Sequence, residues 1–122
     1  MSRSLIAVVD DDDLVRSATV SLLRSMDYAC CAFASAEALL GDEQGAYACV
    51  VSDIQMPGLS GVELAHTLAA RRPSPPVILI TAFPDAEAFA ARDAGLVAGL
   101  IEKPLDSDAL LAAIEQALAG AR

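Results

Sequence analysis

The chain has 122 residues, enough for one apolar core that folds unaided, and 55% of them are hydrophobic. No apolar run approaches the roughly 20 residues needed to cross a bilayer, so a membrane protein is not expected. With 17 acidic residues against 8 basic and a net charge of −9, the chain lacks the clustered cations that would grip nucleic acid directly. The same charge suits a metal ion or a basic protein partner.

Met1-Ser2-Arg3-Ser4 leads straight into apolar residues with no small-residue cleavage site, so no signal peptide and a cytoplasmic location are expected. The first apolar run is residues 5–9, followed by a helical pattern over residues 14–26 with apolar side chains at 14, 15, 18, 22, 23 and 26. A second short run at residues 28–32 holds Cys30 and Cys31. Adjacent residues on a strand face opposite ways and are poorly placed to form a disulfide. With Cys49 they are read as buried small apolar residues in a reducing compartment.

Ser35 can cap a helix reaching about Leu40, and residues 41–45 carry turn signals. The third run is residues 48–52. Met56-Pro57-Gly58 is a turn, and Ser60-Gly61-Val62-Glu63 has the spacing of a capping box for a helix to about Ala70. After the Pro-rich turn at residues 72–76 comes the fourth run, residues 77–80. Pro84 suits the first turn of a helix ending near Asp93. The fifth run is residues 97–101. Ser107 can cap a last helix with the stripe Leu110, Leu111, Ile114, Ala117 and Leu118.

Strands alternating with helices predict a parallel sheet with right-handed crossovers. Five such units predict an α/β fold: a five-stranded parallel sheet, order 2-1-3-4-5, doubly wound as (βα)5 in the flavodoxin-like manner. Residues 1–122 are read as a single domain. Ligands of such sheets bind at the carboxyl ends of the strands, where the order reverses between strands 1 and 3. Asp10, Asp11 and Asp53 fall at that point. Clustered carboxylates repel one another unless a hard cation joins them, so they form a candidate Mg2+ site, with a backbone carbonyl just after Asp53 as a further ligand. A carboxylate can also accept a phosphoryl group if fixed cations neutralise the phosphoryl oxygens. Lys103 and the Thr81 hydroxyl, each near the end of an apolar run, can serve there.

Four segments carry a family resemblance: Val8-Val9-Asp10-Asp11-Asp12, Asp53-Ile54-Gln55-Met56-Pro57-Gly58-Leu59-Ser60-Gly61, Ile80-Thr81-Ala82 and Glu102-Lys103-Pro104. In these the chain resembles the receiver domain of bacterial two-component response regulators. Val62-Glu63-Leu64 and Ile101-Glu102-Lys103-Pro104-Leu105 look most like receivers that precede a helix-turn-helix output domain. The resemblance implies that Asp53 is the phosphoacceptor for a sensor histidine kinase and that the chain is not an enzyme in the ordinary sense. It implies direct Mg2+ binding by Asp11, Asp10 acting mainly through water, and the Gln55 backbone carbonyl as a ligand. Thr81 and Lys103 would contact the phosphoryl oxygens, and Lys103-Pro104 would be a cis peptide. Gln55 and Phe83 would tune phosphoryl lifetime. Asp12 and Asp13 would lie in the first turn of helix 1, and His66 is a surface or packing residue. Phosphorylation would shift the surface made by helix 4, strand 5 and helix 5. That surface is the family's usual route to an output domain, a downstream protein or a homodimer.

Two departures stand out. Leu100 occupies the position where most receivers carry an aromatic switch residue. Ala94-Gly95 lies one residue further from Lys103 than is typical, which predicts an altered signalling face over residues 95–99. The alternatives are a phosphorylation-independent pseudo-receiver and a haloacid-dehalogenase-type phosphatase. Asp10-x-Asp12 mimics the first phosphatase motif, but the only acids after Lys103 are Asp106, Asp108 and Glu115, near or inside the last helix.

Overall fold

A computed structural model describes residues 5–42, 46–71 and 74–120. Its elements in chain order are β1 (Leu5–Val9), α1 (Asp13–Ser25), β2 (Ala29–Phe33), α2 (Ala36–Leu40), β3 (Cys49–Asp53), α3 (Gly61–Ala69), β4 (Val77–Thr81), α4 (Ala86–Asp93), β5 (Gly99–Glu102) and α5 (Ser107–Gly120). The five strands pair in parallel in the order β2-β1-β3-β4-β5, as expected. Parts of two expected turns, residues 43–45 and 72–73, lie outside the described residues.

The period of two along each strand sorts the core into two layers. Ala7, Val9, Val50 and Leu79 face one way, where they pack with Leu39, Leu64, Leu68 and Ala91 from α2, α3 and α4. Ile6, Val8, Val51, Ile78 and Ile80 face the other, against Val20 and Leu23 of α1 and Leu110 and Ile114 of α5. Because β3 and β4 are covered on both faces, every residue in them is buried; that explains their unbroken apolar runs. Cys30 and Cys31 sit in opposite layers, and all three cysteines are free. Among the described residues no helix is long and apolar enough to cross a membrane.

Helix starts follow local chemistry. Ser35 caps α2, and Ser60 with Glu63 forms a complete capping box on α3. Three expectations need correction. Asp12 is the N-cap of α1 rather than part of its first turn; its carboxylate accepts from Leu14 N–H at 2.9 Å and Val15 N–H at 3.2 Å. Pro84 precedes α4, whose cap is Asp85, accepting from Ala88 N–H at 2.9 Å. Ser107 is already inside α5, and the Asp106 carboxylate accepts from Asp108 N–H at 3.0 Å. At each start an aspartate carboxylate accepts an otherwise unpaired N–H of the first turn.

The buried face of α1 also differs from its apolar stripe. Thr19, Val20 and Leu23 are buried, whereas Leu14 is 83% exposed. Thr19 can face the core because its hydroxyl donates to the Val15 carbonyl at 2.8 Å. Arg16 can lie along this face because its guanidinium donates to the Asp10 carbonyl at 2.8 Å. Polar residues with local partners thus take the inner face and turn Leu14 outward.

Candidate phosphoryl and metal site

β1 and β3 are neighbours, so their last residues emerge side by side at the carboxyl edge of the sheet. Asp10 and Asp53 are 6% and 7% exposed, while Asp11 stands in solvent. One carboxylate oxygen from each of the three lies within 4.8 Å of the others. Lys103 enters from the end of β5, its Nζ 3.5 Å from Asp53 Oδ1 and 3.9 Å from Asp10 Oδ2. Its own N–H donates to the Thr81 carbonyl at 2.8 Å, and the Lys103–Pro104 peptide bond is cis, as expected.

Burial raises the Asp10 carboxyl above its ordinary value of 3.8; the Asp12 N–H bond and Lys103 oppose the rise, and Asp11 and Asp12 add to it. Asp53 is likewise raised by burial, with Lys103 opposing, Asp10 adding, and the Ile54 N–H bond opposing. Two carboxylates that share one lysine therefore remain under-neutralised. Among the described residues the cluster is made of carboxylates alone, with no cysteine or histidine in it, and such a set fits a hard divalent cation such as Mg2+.

The Thr81 hydroxyl is fully buried and turned to the Gln55 side chain, donating to Oε1 at 2.9 Å and accepting from Phe83 N–H at 3.2 Å. Phe83 itself is 80% exposed. Leu100 is half-buried and packs into the core layer beneath α3 and α4. His66 is exposed on α3. The structure thus brings Asp10, Asp11, Asp53 and Lys103 together and seats Thr81 and Gln55 against one another beside them. Arg16, which holds the Asp10 carbonyl, went unnoticed in the sequence; a basic residue one turn after a four-aspartate run was its only signal. Gly61 closes the loop after β3. A Cβ there would come within 2.4 Å of the Asp53 carbonyl oxygen, so only glycine lets α3 start against the strand end.

The family described as the response regulator receiver domain matches residues 6–115. The chain belongs to that family. It is 37% identical over 115 residues to the transcriptional regulatory protein FixJ of Bradyrhizobium diazoefficiens, covering 93% of this chain and 56% of FixJ. It is 32% identical to the DNA-binding transcriptional regulator NtrC of Escherichia coli K12, covering 97% of this chain and 25% of NtrC. Among solved structures, FixJ-N superposes with a TM-score of 0.86 at 33% identity, covering 98% of this chain and 96% of that one. The BeF3-activated DrrB receiver domain gives 0.82 at 30% identity, covering 97% and 99%. The chain spans about half the length of the FixJ relatives it matches. As a receiver domain, it is a phosphoacceptor module of two-component signalling.

Proposed function

We propose that Asp53 is the residue phosphorylated, by a sensor histidine kinase and with Mg2+, and that residues 1–122 act as a single receiver unit. The observation that carries this reading is the meeting of Asp10, Asp11, Asp53 and Lys103 in one crevice. A carboxylate oxygen of Asp53 attacks phosphorus, the bond from phosphorus to the kinase imidazole nitrogen breaks, and the imidazole leaves with the bond's electron pair. Asp10, Asp11, Asp53 and the Gln55 backbone carbonyl would hold the Mg2+. When bound, the ion supplies positive charge beside the phosphoryl oxygens. Lys103 pairs with one phosphoryl oxygen, and Thr81 exchanges its Gln55 partner for another. The surface of α4, β5 and α5 then passes the change to an output domain, a downstream protein or a second receiver.

Leu100 fills the switch pocket without offering a polar tip. α4 ends at Asp93, with Leu96 N–H donating back to the Ala91 carbonyl at 3.0 Å, and β5 begins only at Gly99. Residues 95–99, in this connection and at the start of β5, form the altered stretch of this signalling face.

Intact mass after incubation with acetyl phosphate and Mg2+ tests the reading. Wild type gains one phosphoryl group and Asp53→Ala gains none. No gain in wild type overturns the proposal and leaves the pseudo-receiver. A covalent phosphate that survives Asp53→Asn but is lost in Asp10→Asn would mark a phosphatase of the haloacid-dehalogenase type.

A further inference from the structure

The loop from β3 to α3 carries Gln55, whose backbone carbonyl and side chain both serve the site proposed above. Besides the Ser60–Glu63 capping box and the Ile54 N–H bond to the Ile80 carbonyl, three hydrogen bonds tie this loop. Gly61 N–H donates to the Ile54 carbonyl at 3.0 Å and closes its base. Thr81 holds the Gln55 side chain. The third contact comes from a different element: Glu37, in the first turn of α2, accepts from Leu59 N–H through Oε2 at 3.2 Å. The bond joins residues 22 positions apart in the chain.

The backbone of the loop is shaped to receive that carboxylate. Gly58 has φ +79°, a conformation other L residues rarely adopt, and a Cβ there would lie 2.3 Å from Glu37 Oε2. The glutamate therefore rests on the bare face of Gly58 while bonding the next amide. Glu37 itself is held in place by the Ser35 cap, which fixes the start of α2, and by Ala36 and Leu39, both fully buried in the core layer on either side of it. A short, well-capped helix thus grips the far limb of a loop whose near limb carries Gln55.

We propose that Glu37 is a positioning residue for the cation site. By tethering Leu59 it restricts the loop and holds the Gln55 carbonyl where a metal ligand is needed. The inference rests on the Mg2+ reading of the site. A residue bonded directly to a metal ligand typically contributes about 10–100-fold in affinity. Glu37 acts four residues away through the loop, so a weakening of about threefold to tenfold is expected, in proportion to that.

The test uses wild type, Glu37→Ala and Glu37→Gln. Amide hydrogen exchange at Leu59 is measured without metal, and Mg2+ alone is titrated while backbone amide resonances are followed. Glu37→Ala should speed exchange at Leu59 by about tenfold, the equivalent of one hydrogen bond. It should also weaken Mg2+ binding with little change in the metal-free thermal midpoint, because the side chain is exposed. Glu37→Gln should restore both, since its amide oxygen can accept the same bond. Unchanged Mg2+ affinity in Glu37→Ala overturns the inference while leaving the site reading intact. A Gln variant that behaves like Ala overturns it too, because charge rather than the tether would then be responsible. Wild type that fails to bind Mg2+ overturns the site reading itself and this inference with it.

Discussion

Within β3, four residues and their successor behave oppositely. Cys49 to Ser52 are at most 1% exposed and pair with β1, and from Val50 onward with β4 as well; burial there favours the fold. Asp53, the next residue, is nearly as buried, yet burial raises its carboxyl and so works against the charged form. The same contrast runs along β1, from Val9 to Asp10. Stability is concentrated in the middle of the sheet, and the carboxyl edge gives some of it back to keep acceptor oxygens close together and short of positive charge. Carboxylates buried side by side with too little positive charge are a weak point in the structure.

The sheet middle should show the largest effect. Leu79→Ala removes a fully buried side chain between β3 and β5 and should cost about 2–5 kcal/mol in urea unfolding. A loss no larger than that of an exposed site would erase the contrast.

Lys103→Ala comes next. It leaves Asp10 and Asp53 with no lysine between them and should cost about 1–3 kcal/mol at pH 7 in EDTA. The deficit should shrink on adding Mg2+, as a bound ion restores positive charge. Equal deficits with and without the ion would contradict a shared role.

Asp53→Asn should move stability the other way. The folded-state carboxyl lies above its unfolded value of 3.8. In the window between those two values the folded protein holds more protons than the unfolded chain, so stability falls as pH rises through it. Above the window the cost of the charge is fully present. The metal-free variant should therefore unfold at higher urea than wild type at pH 7, by less than Lys103→Ala loses, and the gap should close as pH drops through the window. A gap that widened on acidification would reverse the sign of the burial effect.

The smallest effect on stability belongs to Phe83→Ala. The ring is 80% exposed, so unfolding should change by no more than about 0.5 kcal/mol. The half-life of the phosphorylated protein should nevertheless change, because the ring, two residues after Thr81, shields the phosphoryl group from water, while alanine keeps the N–H that bonds the Thr81 hydroxyl. An unchanged half-life would leave Phe83 with no part in the site.

Much of this was legible in the residues alone. Alternation of short apolar runs with helical patterns, together with the rule for ligand sites in parallel sheets, placed Asp10, Asp11 and Asp53 at one edge. The motif from Asp53 to Gly61 and the pair Lys103-Pro104 carried the family. Strand centres were readable because burial on both faces leaves an uninterrupted apolar signature. Helix starts were less so at Asp12, Asp85 and Asp106, where several acceptors compete within two positions and only backbone geometry selects one.

Sequence alone determined the fold class, the family and the identity of the acidic cluster, because periodicity and strand-end chemistry are local properties of the chain. Tertiary structure decided the rest: Thr19 rather than Leu14 on the inner face of α1, Arg16 bound to the Asp10 carbonyl, and Glu37 reaching Leu59. These depend on which elements meet in space and which polar groups find partners there, and spacing along a single chain carries no record of either.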